Sequence, residues 1–322
     1  MSEKFLEVKD LVVEYTSGKK IIHAVNGVSF TIERGQTLGL VGETGAGKTS
    51  IAKALLRILP DRGARIAGGE VILNGQDLLK KPEKEMLKIR GKQIAMIFQD
   101  PMTALNPVMT VGGQIAETIR LHEDVTVEGS KEKACEMLEM VGIPRERFSE
   151  YPHQFSGGMK QRVVIAMALA CDPELLLADE PTTALDVTIQ AQVLEMINDL
   201  KQKYNTSMIL ITHDLGVVAE TCDQVAIIYA GEIVEFGSKE QVFRRTAHPY
   251  TIGLFDSLPN LYDDKPRLTP IPGLPPDPSD LPKGCSFSPR CKNCTEACKQ
   301  NEQPFKEIEP GHFCRCALCG EV

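Results

Sequence analysis

The sequence lacks any apolar run that approaches the roughly 18 residues needed to cross a membrane. It also lacks an excess of basic residues, because 36 Lys and Arg stand against 44 Asp and Glu, which gives a formal net charge of -8. These features disfavour a membrane-spanning protein and a protein that wraps nucleic acid. The N-terminal segment has no apolar core of the signal-peptide type, so we expect the chain to stay in the cytoplasm.

Cysteine is scarce over most of the chain. Three of the ten cysteines precede residue 250, and the other seven lie among the last 40 residues. This distribution is not typical of the disulfide framework of a small secreted domain, so a bound metal is the better expectation. A hydrophobic content of 42% with 25% charged residues excludes a disordered chain.

Short apolar runs separated by helix-length segments predict an α/β core. Most of these runs lack polar alternation, which is typical of parallel strands buried on both faces. They are "TLGLVG" at 37–42, "IAMIF" at 94–98, "LLLAD" at 175–179, "MILIT" at 208–212 and "QVAIIYA" at 224–230. The opening 35 residues alternate, and "GGEVILNGQDL" carries an Asn-Gly turn signal, so an antiparallel β layer is expected beside the mainly parallel sheet.

The region from about 100 to 160 predicts a helical subdomain, with "VGGQIAETIRLHE" and "KEKACEMLEMVG" as its clearest helices. After residue 258 the sequence becomes dense in proline, which favours extended chain and excludes a long helix. We therefore predict a large α/β domain over 1–258 and a small, irregular, cysteine-rich C-terminal domain over 259–322.

The segment "GETGAGKTS" follows a predicted strand and precedes a predicted helix, and it fits the pattern G-x-x-x-x-G-K-[ST]. Its glycines let backbone N–H groups surround phosphate oxygens, Lys48 is placed to meet the β and γ phosphates, and the Thr49 hydroxyl to hold Mg²⁺. The pattern predicts ATP binding by this loop. Its candidate residues are Gly42, Thr44, Gly45, Ala46, Gly47, Lys48, Thr49 and Ser50.

The strand "LLLAD" carries Asp179 to a strand end, where its carboxylate can reach the Mg²⁺ shell. Glu180 follows directly and is the candidate general base for the attacking water. Two successive carboxylates after a phosphate loop predict ATP hydrolysis rather than simple nucleotide binding.

The stretch "FSGGMKQRVVIAMALA" at 155–170 resembles the signature motif of the ABC ATPases, and the other family motifs occur in the expected order. Gln99 in "FQDP" resembles the Q-loop glutamine, Ala184 to Asp186 the D-loop, and His213 in "ITHD" the switch histidine. The resemblance covers residues 5 to about 255. Phe155 replaces the usual Leu, and Met159 replaces a frequent Gln, but neither change removes a backbone donor.

The resemblance implies the remaining roles. Tyr15 is expected to stack on adenine, Gln99 to join Thr49 and Asp179 around Mg²⁺, and His213 to hold the γ-phosphate. It also implies that two ATPase subunits sandwich ATP in a head-to-tail homodimer or heterodimer. The residues that would complete the partner subunit's site are Ser156, Gly157, Gly158 and Asp186.

Three segments resemble the ATP-binding subunits of dipeptide, oligopeptide and nickel importers: "QDPMTALNPV", "AHPYTIGL" and "PIPGLPPDP". This resemblance implies a peripheral protein on the cytoplasmic face of the cell membrane. Its partners would be separate transmembrane permease subunits, contacted by residues 99–107, and indirectly an extracytoplasmic substrate-binding protein. The substrate class, dipeptide, oligopeptide or nickel, stays open.

In these importer subunits the C-terminal tail, here residues 259–322, carries a pattern of cysteines that matches Cys285, Cys291, Cys298 and Cys316. The resemblance implies that these four cysteines bind a [4Fe-4S] cluster. Spacing alone leaves Zn²⁺ as an equal alternative, because Cys291-x₂-Cys294 and Cys316-x₂-Cys319 resemble zinc knuckles. Disulfides rank last in a reducing cytoplasm. Two competing functions stay open: a soluble ABC protein acting on ribosomes or DNA, and an ATPase switch whose metal-binding tail recruits a soluble partner.

Overall fold

A computed structural model of the chain describes residues 4–182, 187–257 and 270–319. The strands are β1 (Lys4–Ser17), β2 (Lys20–Glu33), β3 (Thr37–Val41), β4 (Ala64–Leu73), β5 (Gln76–Asp77), β6 (Ile94–Ile97), β7 (Leu175–Asp179), β8 (Ser207–Ile211), β9 (Gln224–Tyr229), β10 (Glu232–Ser238), β11 (Lys306–Glu309) and β12 (His312–Cys314).

The helices alternate with these strands through the middle of the chain. They are α1 (Lys48–Leu55), α2 (Glu83–Ile89), α3 (Pro101–Ala104), α4 (Val111–His122), α5 (Val127–Met140), α6 (Gly157–Leu169), α7 (Val187–Tyr204), α8 (Leu215–Thr221), α9 (Lys239–Arg244), α10 (Pro249–Asp256) and α11 (Glu296–Gln300). The chain divides into two compact units, which comprise residues 1–5, 32–37 and 80–212 in the first and 6–31, 38–79 and 213–322 in the second.

The first unit contains a parallel sheet in the order β6-β7-β8 and the helices α2 to α7. Every residue of these three strands is buried, as the unbroken apolar runs predict for strands covered on both faces. The register pairs Ile94 with Leu175 and Asp179 with Ile211. Asp179 therefore stands at the carboxyl end of the sheet, where ligands of α/β folds bind.

Two helices of the predicted helical region, α4 and α5, begin at capping threonines. Thr110 accepts a hydrogen bond from the Gly113 N–H (3.2 Å) at α4, and Thr126 accepts one from the Gly129 N–H (3.0 Å) at α5. The two predicted helices are confirmed. The second one begins earlier than the quoted segment, at Val127, because Thr126 provides the cap.

The second unit holds the antiparallel layer, in the order β2-β1-β4-β5. The predicted turn joins β4 to β5 at Asn74 and Gly75, whose φ angles of 48° and 75° suit a two-residue hairpin turn. In the same unit β3 pairs in parallel with β9, and β9, β10, β12 and β11 continue as antiparallel neighbours. The prediction of an α/β fold with parallel strands and an antiparallel layer is confirmed.

The tail joins the sheet of the second unit through β12, whose Cys314 pairs with Glu235 of β10. Glu235 and His312 are completely buried, and His312 Nε2 lies 2.9 Å from Glu235 Oε1. The Glu235 carboxylate also accepts hydrogen bonds from the N–H groups of Ala247 and His248. A buried carboxylate with this many partners fixes the tail strands to the unit.

Candidate functional site

The predicted phosphate loop lies between β3 and α1 in the second unit and is tightly wound. A Cβ atom added at Gly42 would lie 2.1 Å from the Ile228 carbonyl oxygen, and one added at Gly47 would lie 2.2 Å from the Ala24 carbonyl oxygen. Gly47 also caps α1 with a φ of 102°. Only glycine fits at these two positions, so the pattern of the motif is a steric requirement of the loop.

Lys48 is the first residue of α1 and is 7% exposed. Its Nζ donates to the carbonyl oxygens of Gly42 (2.6 Å) and Glu43 (2.9 Å), which holds the ammonium group against the loop. A glycine loop, a helix N-terminus and an adjacent ammonium group together fit the phosphates of a nucleotide.

Tyr15, the predicted adenine platform, lies on β1 opposite Ala64 of β4. Its hydroxyl group lies 3.1 Å from the Ser50 Oγ on α1. The structure therefore brings this aromatic side chain beside α1, the helix that follows the phosphate loop.

The predicted carboxylates follow β7 in the first unit. Asp179 is 3% exposed at the strand end, and Glu180 has a φ of 46°, which is unusual for a residue with a side chain. The Glu180 N–H donates to the Ile211 carbonyl oxygen (2.8 Å), and the Gln99 Nε2 donates to Glu180 Oε2 (2.8 Å). Gln99 and Glu180, which are 81 residues apart in the chain, are therefore brought together.

The signature segment lies at the start of α6, also in the first unit. Ser156 is the N-cap, and its side chain accepts a weak hydrogen bond from the Met159 N–H (3.4 Å). Phe155, the departure from the family pattern, is buried beneath the Arg147 guanidinium, which lies 4.2 Å from the ring centroid. Gly157 has open space around the position of an added Cβ. The segment thus presents a capped helix N-terminus with a bare glycine.

His213 is exposed and precedes Asp214, the N-cap of α8. Asp214 Oδ1 accepts hydrogen bonds from the N–H groups of Gly216 (2.9 Å) and Val217 (3.2 Å), which fixes the turn beside the histidine. The predicted D-loop at 184–186, including Asp186, lies outside the described residues.

The four cysteines predicted to bind a cluster line one small cavity of about 10 Å³ in the second unit, together with His248 and Phe287. Burial raises the pKa of Cys285 to about 11, and burial also raises the pKa of Cys291 and of Cys316. Cys294 does not line this cavity. The structure therefore separates the predicted ligands from a neighbouring cysteine.

The described residues do not contain three or more His, Cys, Asp or Glu side chains arranged to hold a metal ion. The geometry of the tail thus does not support the prediction of a [4Fe-4S] cluster or its Zn²⁺ alternative. Cys314 and Cys319 form a disulfide, the option that ranked last on sequence grounds. That ranking is wrong for this pair, and Cys319 in this state has no thiolate to offer a zinc knuckle.

Sequence reasoning missed an ion pair at the phosphate loop. The Arg290 side chain of the tail donates to both carboxylate oxygens of Glu43, the residue after Gly42 (2.8 and 3.1 Å). The two residues are 247 positions apart, so no local pattern could reveal the pair. The only sequence signal of this pair is Glu43 itself, an acidic residue inside a loop that is predicted to bind phosphate.

No helix within residues 4–182, 187–257 and 270–319 is long and apolar enough to pass through a bilayer.

Comparisons with known proteins agree with these features. The ABC transporter family matches residues 25–183, and the family described as the oligopeptide/dipeptide transporter C-terminal region matches residues 234–298. The oligopeptide transport ATP-binding protein OppD of Haemophilus influenzae is 50% identical, with 98% of each chain covered. The dipeptide transport ATP-binding protein DppD of Bacillus subtilis is 48% identical, with 92% of this chain and 89% of that protein covered.

Among solved structures, the ATP-binding cassette MJ0796 in a dimeric post-hydrolysis state bound to ADP and Pi has a TM-score of 0.66. It is 25% identical and covers 73% of this chain and 99% of its own. With the phosphate loop, the strand-end carboxylates and the signature helix in place, the chain belongs to the ABC ATPases, in the family of oligopeptide and dipeptide transport ATP-binding subunits.

Proposed function

We propose that this chain hydrolyses ATP to drive import of a peptide-class substrate through separate transmembrane permease subunits. The observation that carries this proposal is the similarity to an oligopeptide transport ATP-binding protein over 98% of both chains, including the tail. The steric need for Gly42 and Gly47 in the phosphate loop gives independent support for nucleotide binding.

In this proposal the phosphates are held by the backbone N–H groups of the loop, which comprises Gly42, Thr44, Gly45, Ala46, Gly47, Lys48, Thr49 and Ser50. Tyr15 stacks on adenine, and Lys48 neutralises charge on the β and γ phosphates. Thr49, Gln99 and Asp179 hold Mg²⁺, which would stabilise negative charge on the phosphate oxygens. Glu180 orients and deprotonates water, and His213 holds the γ-phosphate.

A second ABC ATPase subunit, identical or related, completes each site. Ser156, Gly157, Gly158 and Asp186 of one subunit would face the γ-phosphate bound by the other. The N-terminus of α6 suits this role because its N–H groups and its dipole attract an anion. ATP would thus hold the pair together, and hydrolysis would release it.

The permease partners set the location of the chain. We propose that residues 99–107 contact the permease, that the protein is peripheral on the cytoplasmic face of the cell membrane, and that a substrate-binding protein delivers the peptide indirectly. The segment that follows Gln99 suits a permease contact, because Gln99 at its start donates a hydrogen bond to Glu180, the proposed general base. A shift of Gln99 would therefore alter both the hydrolytic site and the permease contact.

For the tail we propose that Cys285, Cys291, Cys298 and Cys316 hold a [4Fe-4S] cluster. The resemblance of the cysteine pattern carries this proposal. The described side chains are not arranged around a metal position, and the cavity that the four cysteines line only distinguishes them from Cys294. When bound, the cluster would cross-link segments that have little apolar surface of their own. The division of the chain into 1–258 and 259–322 stays a prediction.

The cluster is tested by iron, sulfide and zinc analysis of anaerobically purified chain. We expect about four irons and four sulfides per chain, a loss of both in Cys291→Ser, and little change in the control Cys294→Ser. Stoichiometric zinc without sulfide, or equal losses in the two variants, would refute the cluster and its ligand set.

The transport function is tested by uptake of labelled dipeptides and pentapeptides in cells whose only copy of the chain is wild type or Glu180→Gln. We expect uptake with the wild type and none with the variant, although both bind ATP. Unchanged uptake in cells that lack the chain would reject the proposal. Co-purification with a soluble protein instead of permease subunits would favour an ATPase switch with an interacting tail.

A further inference from the structure

The ion pair between Glu43 and Arg290 connects the phosphate loop to the cysteine-rich tail. Arg290 Nη1 lies 2.8 Å from Glu43 Oε2, and Arg290 Nη2 lies 3.1 Å from Glu43 Oε1, which is the two-pronged geometry that arginine makes with carboxylates. The Arg290 side chain is 5% exposed and the Glu43 side chain is 27% exposed. The arginine is therefore buried and the carboxylate partly buried, and salt screens such a pair less than an ion pair on the surface.

The Arg290 guanidinium makes further hydrogen bonds beyond those to Glu43. Besides Glu43 it donates to the Pro272 carbonyl oxygen from Nε (3.0 Å), to the Ile271 carbonyl oxygen from Nη2 (3.4 Å) and to the Tyr229 hydroxyl from Nη1 (3.4 Å). These contacts involve all three guanidinium nitrogens. The tail backbone thus holds the guanidinium in a fixed position and orientation against Glu43.

The backbone of Glu43 is held as firmly as its side chain. Its N–H donates to the Tyr250 hydroxyl (3.1 Å), and its carbonyl oxygen accepts from Lys48 Nζ (2.9 Å). Tyr250 is fully buried, and its ring packs against Tyr229 and the tail residue Phe287 at centroid distances of 4.6 and 5.4 Å. The second residue of the phosphate loop therefore rests on an aromatic cluster that the tail completes.

A carboxylate in this loop conflicts with the proposed ligand, because a triphosphate is strongly anionic and like charges repel. Arg290 resolves the conflict in two ways. It neutralises the Glu43 charge, and it holds the carboxylate on the tail side through two hydrogen bonds. Lysine could supply the charge but could not supply the planar two-pronged contact.

We propose that Arg290 is a positioning residue for ATP binding, which holds Glu43 and with it the phosphate loop in the conformation that accepts the triphosphate. Nucleotide affinity then depends on the tail, which lies far from the loop in sequence and contributes none of the predicted ATP ligands. This inference rests on the proposed function, since it concerns the same ATP site.

The test measures the dissociation constant of a non-hydrolysable ATP analogue with Mg²⁺ for the full chain and a set of variants. Arg290→Met should weaken binding about tenfold, and Arg290→Lys should weaken it less. Adding Glu43→Gln to Arg290→Met should recover much of the affinity, because the uncompensated carboxylate is removed. The matched control is Arg315→Met, since Arg315 is a half-buried arginine of the tail whose side-chain hydrogen bonds go to the Ile233 and Gln303 carbonyl oxygens rather than to the phosphate loop.

The outcomes separate this inference from the proposed function. Wild-type affinity in both Arg290→Met and Arg290→Lys would overturn the inference alone, and so would equal losses in Arg290→Met and Arg315→Met. A double variant no better than Arg290→Met would also overturn it, because the loss would then not involve Glu43. If Arg290→Met does not fold, Arg290→Lys and its double variant with Glu43→Gln decide in the same way. No analogue binding by the wild type would overturn the proposed function and the inference together.

Discussion

At the scale of single residues, the candidate site combines groups that sequence order identifies with groups that only the fold brings together. Gly42 and Gly47 are predictable because they belong to a local sequence motif, although the backbone that leaves no room for a Cβ atom at each comes from Ile228 and Ala24. The contact between Gln99 and Glu180 and the pair of Glu43 with Arg290 depend on tertiary structure. Local sequence patterns therefore locate the phosphate loop but do not reveal the tertiary contacts that hold it in place.

Glu180→Gln tests the proposed general base. We expect ATP hydrolysis to fall on the order of 10²-fold or more, because an amide cannot accept the proton of water. The affinity for ATP should stay near that of the wild type, since the substitution removes a charge without changing size. Steady-state phosphate release and analogue binding check the two expectations. Turnover close to the wild type would remove Glu180 from this role.

His312 makes the stability of the tail depend on pH. Burial alone lowers the pKa of His312, but its hydrogen bonds to Glu235 and Glu309 and the charges of those carboxylates raise the pKa overall. When the pKa of a histidine is higher in the folded than in the unfolded state, its protonation stabilises the fold. This stabilisation is fully present below the unfolded-state pKa of about 6.5 and is lost as the pH rises through the folded-state pKa.

We therefore expect the loss of unfolding free energy in His312→Gln to be larger below pH 6.5 than at pH 9. Urea unfolding of both proteins across this range measures the difference. The control His153→Gln changes an exposed histidine and should show a small difference that does not vary with pH in this way. A constant difference for His312→Gln would contradict the account.

At the scale of elements, buried parallel strands are the most predictable feature, because β6, β7 and β8 are apolar throughout except for Asp179 at the end of β7 and Ser207 at the start of β8. The start of α5 was harder to predict, since it depends on the capping bond of Thr126 rather than on apolar periodicity. The tail strands β11 and β12 were missed. They are short and partly polar. β12 forms by pairing with the distant β10, where Cys314 lies opposite Glu235, and β11 in turn pairs with β12.

Gly157 in the signature helix α6 allows a test of the proposed contact with a partner's γ-phosphate. Gly157→Ala adds a Cβ atom to open space, so we expect the unfolding free energy of the single chain to change by less than about 0.5 kcal/mol. If a partner's γ-phosphate approaches this glycine, ATP hydrolysis should nevertheless fall on the order of 10²-fold, because the donor group can no longer approach closely. Thermal unfolding and phosphate release separate the two effects. Full hydrolysis in this variant would argue against a phosphate contact at Gly157.

At the scale of the whole molecule, one chain carries a phosphate loop, the signature helix α6 and a tail fixed to the sheet of the second unit by Glu235 and His312. The family could be predicted from the order of the motifs. The bonding state of the cysteines could not be predicted, because spacing alone does not distinguish a disulfide from a metal ligand. The Cys314–Cys319 bond also depends on β12 ending at Cys314.

We expect MgATP to join two ATPase subunits, each completing the other's site. Sedimentation velocity of Glu180→Gln, alone and mixed with any ATP-binding subunit that co-purifies with the chain, measures this association. We predict that MgATP converts single subunits to pairs in one of these samples, and that adding Gly157→Ala to the chain weakens the pairing. Single subunits at saturating MgATP in both samples, or pairs that form equally well without nucleotide, would contradict the account.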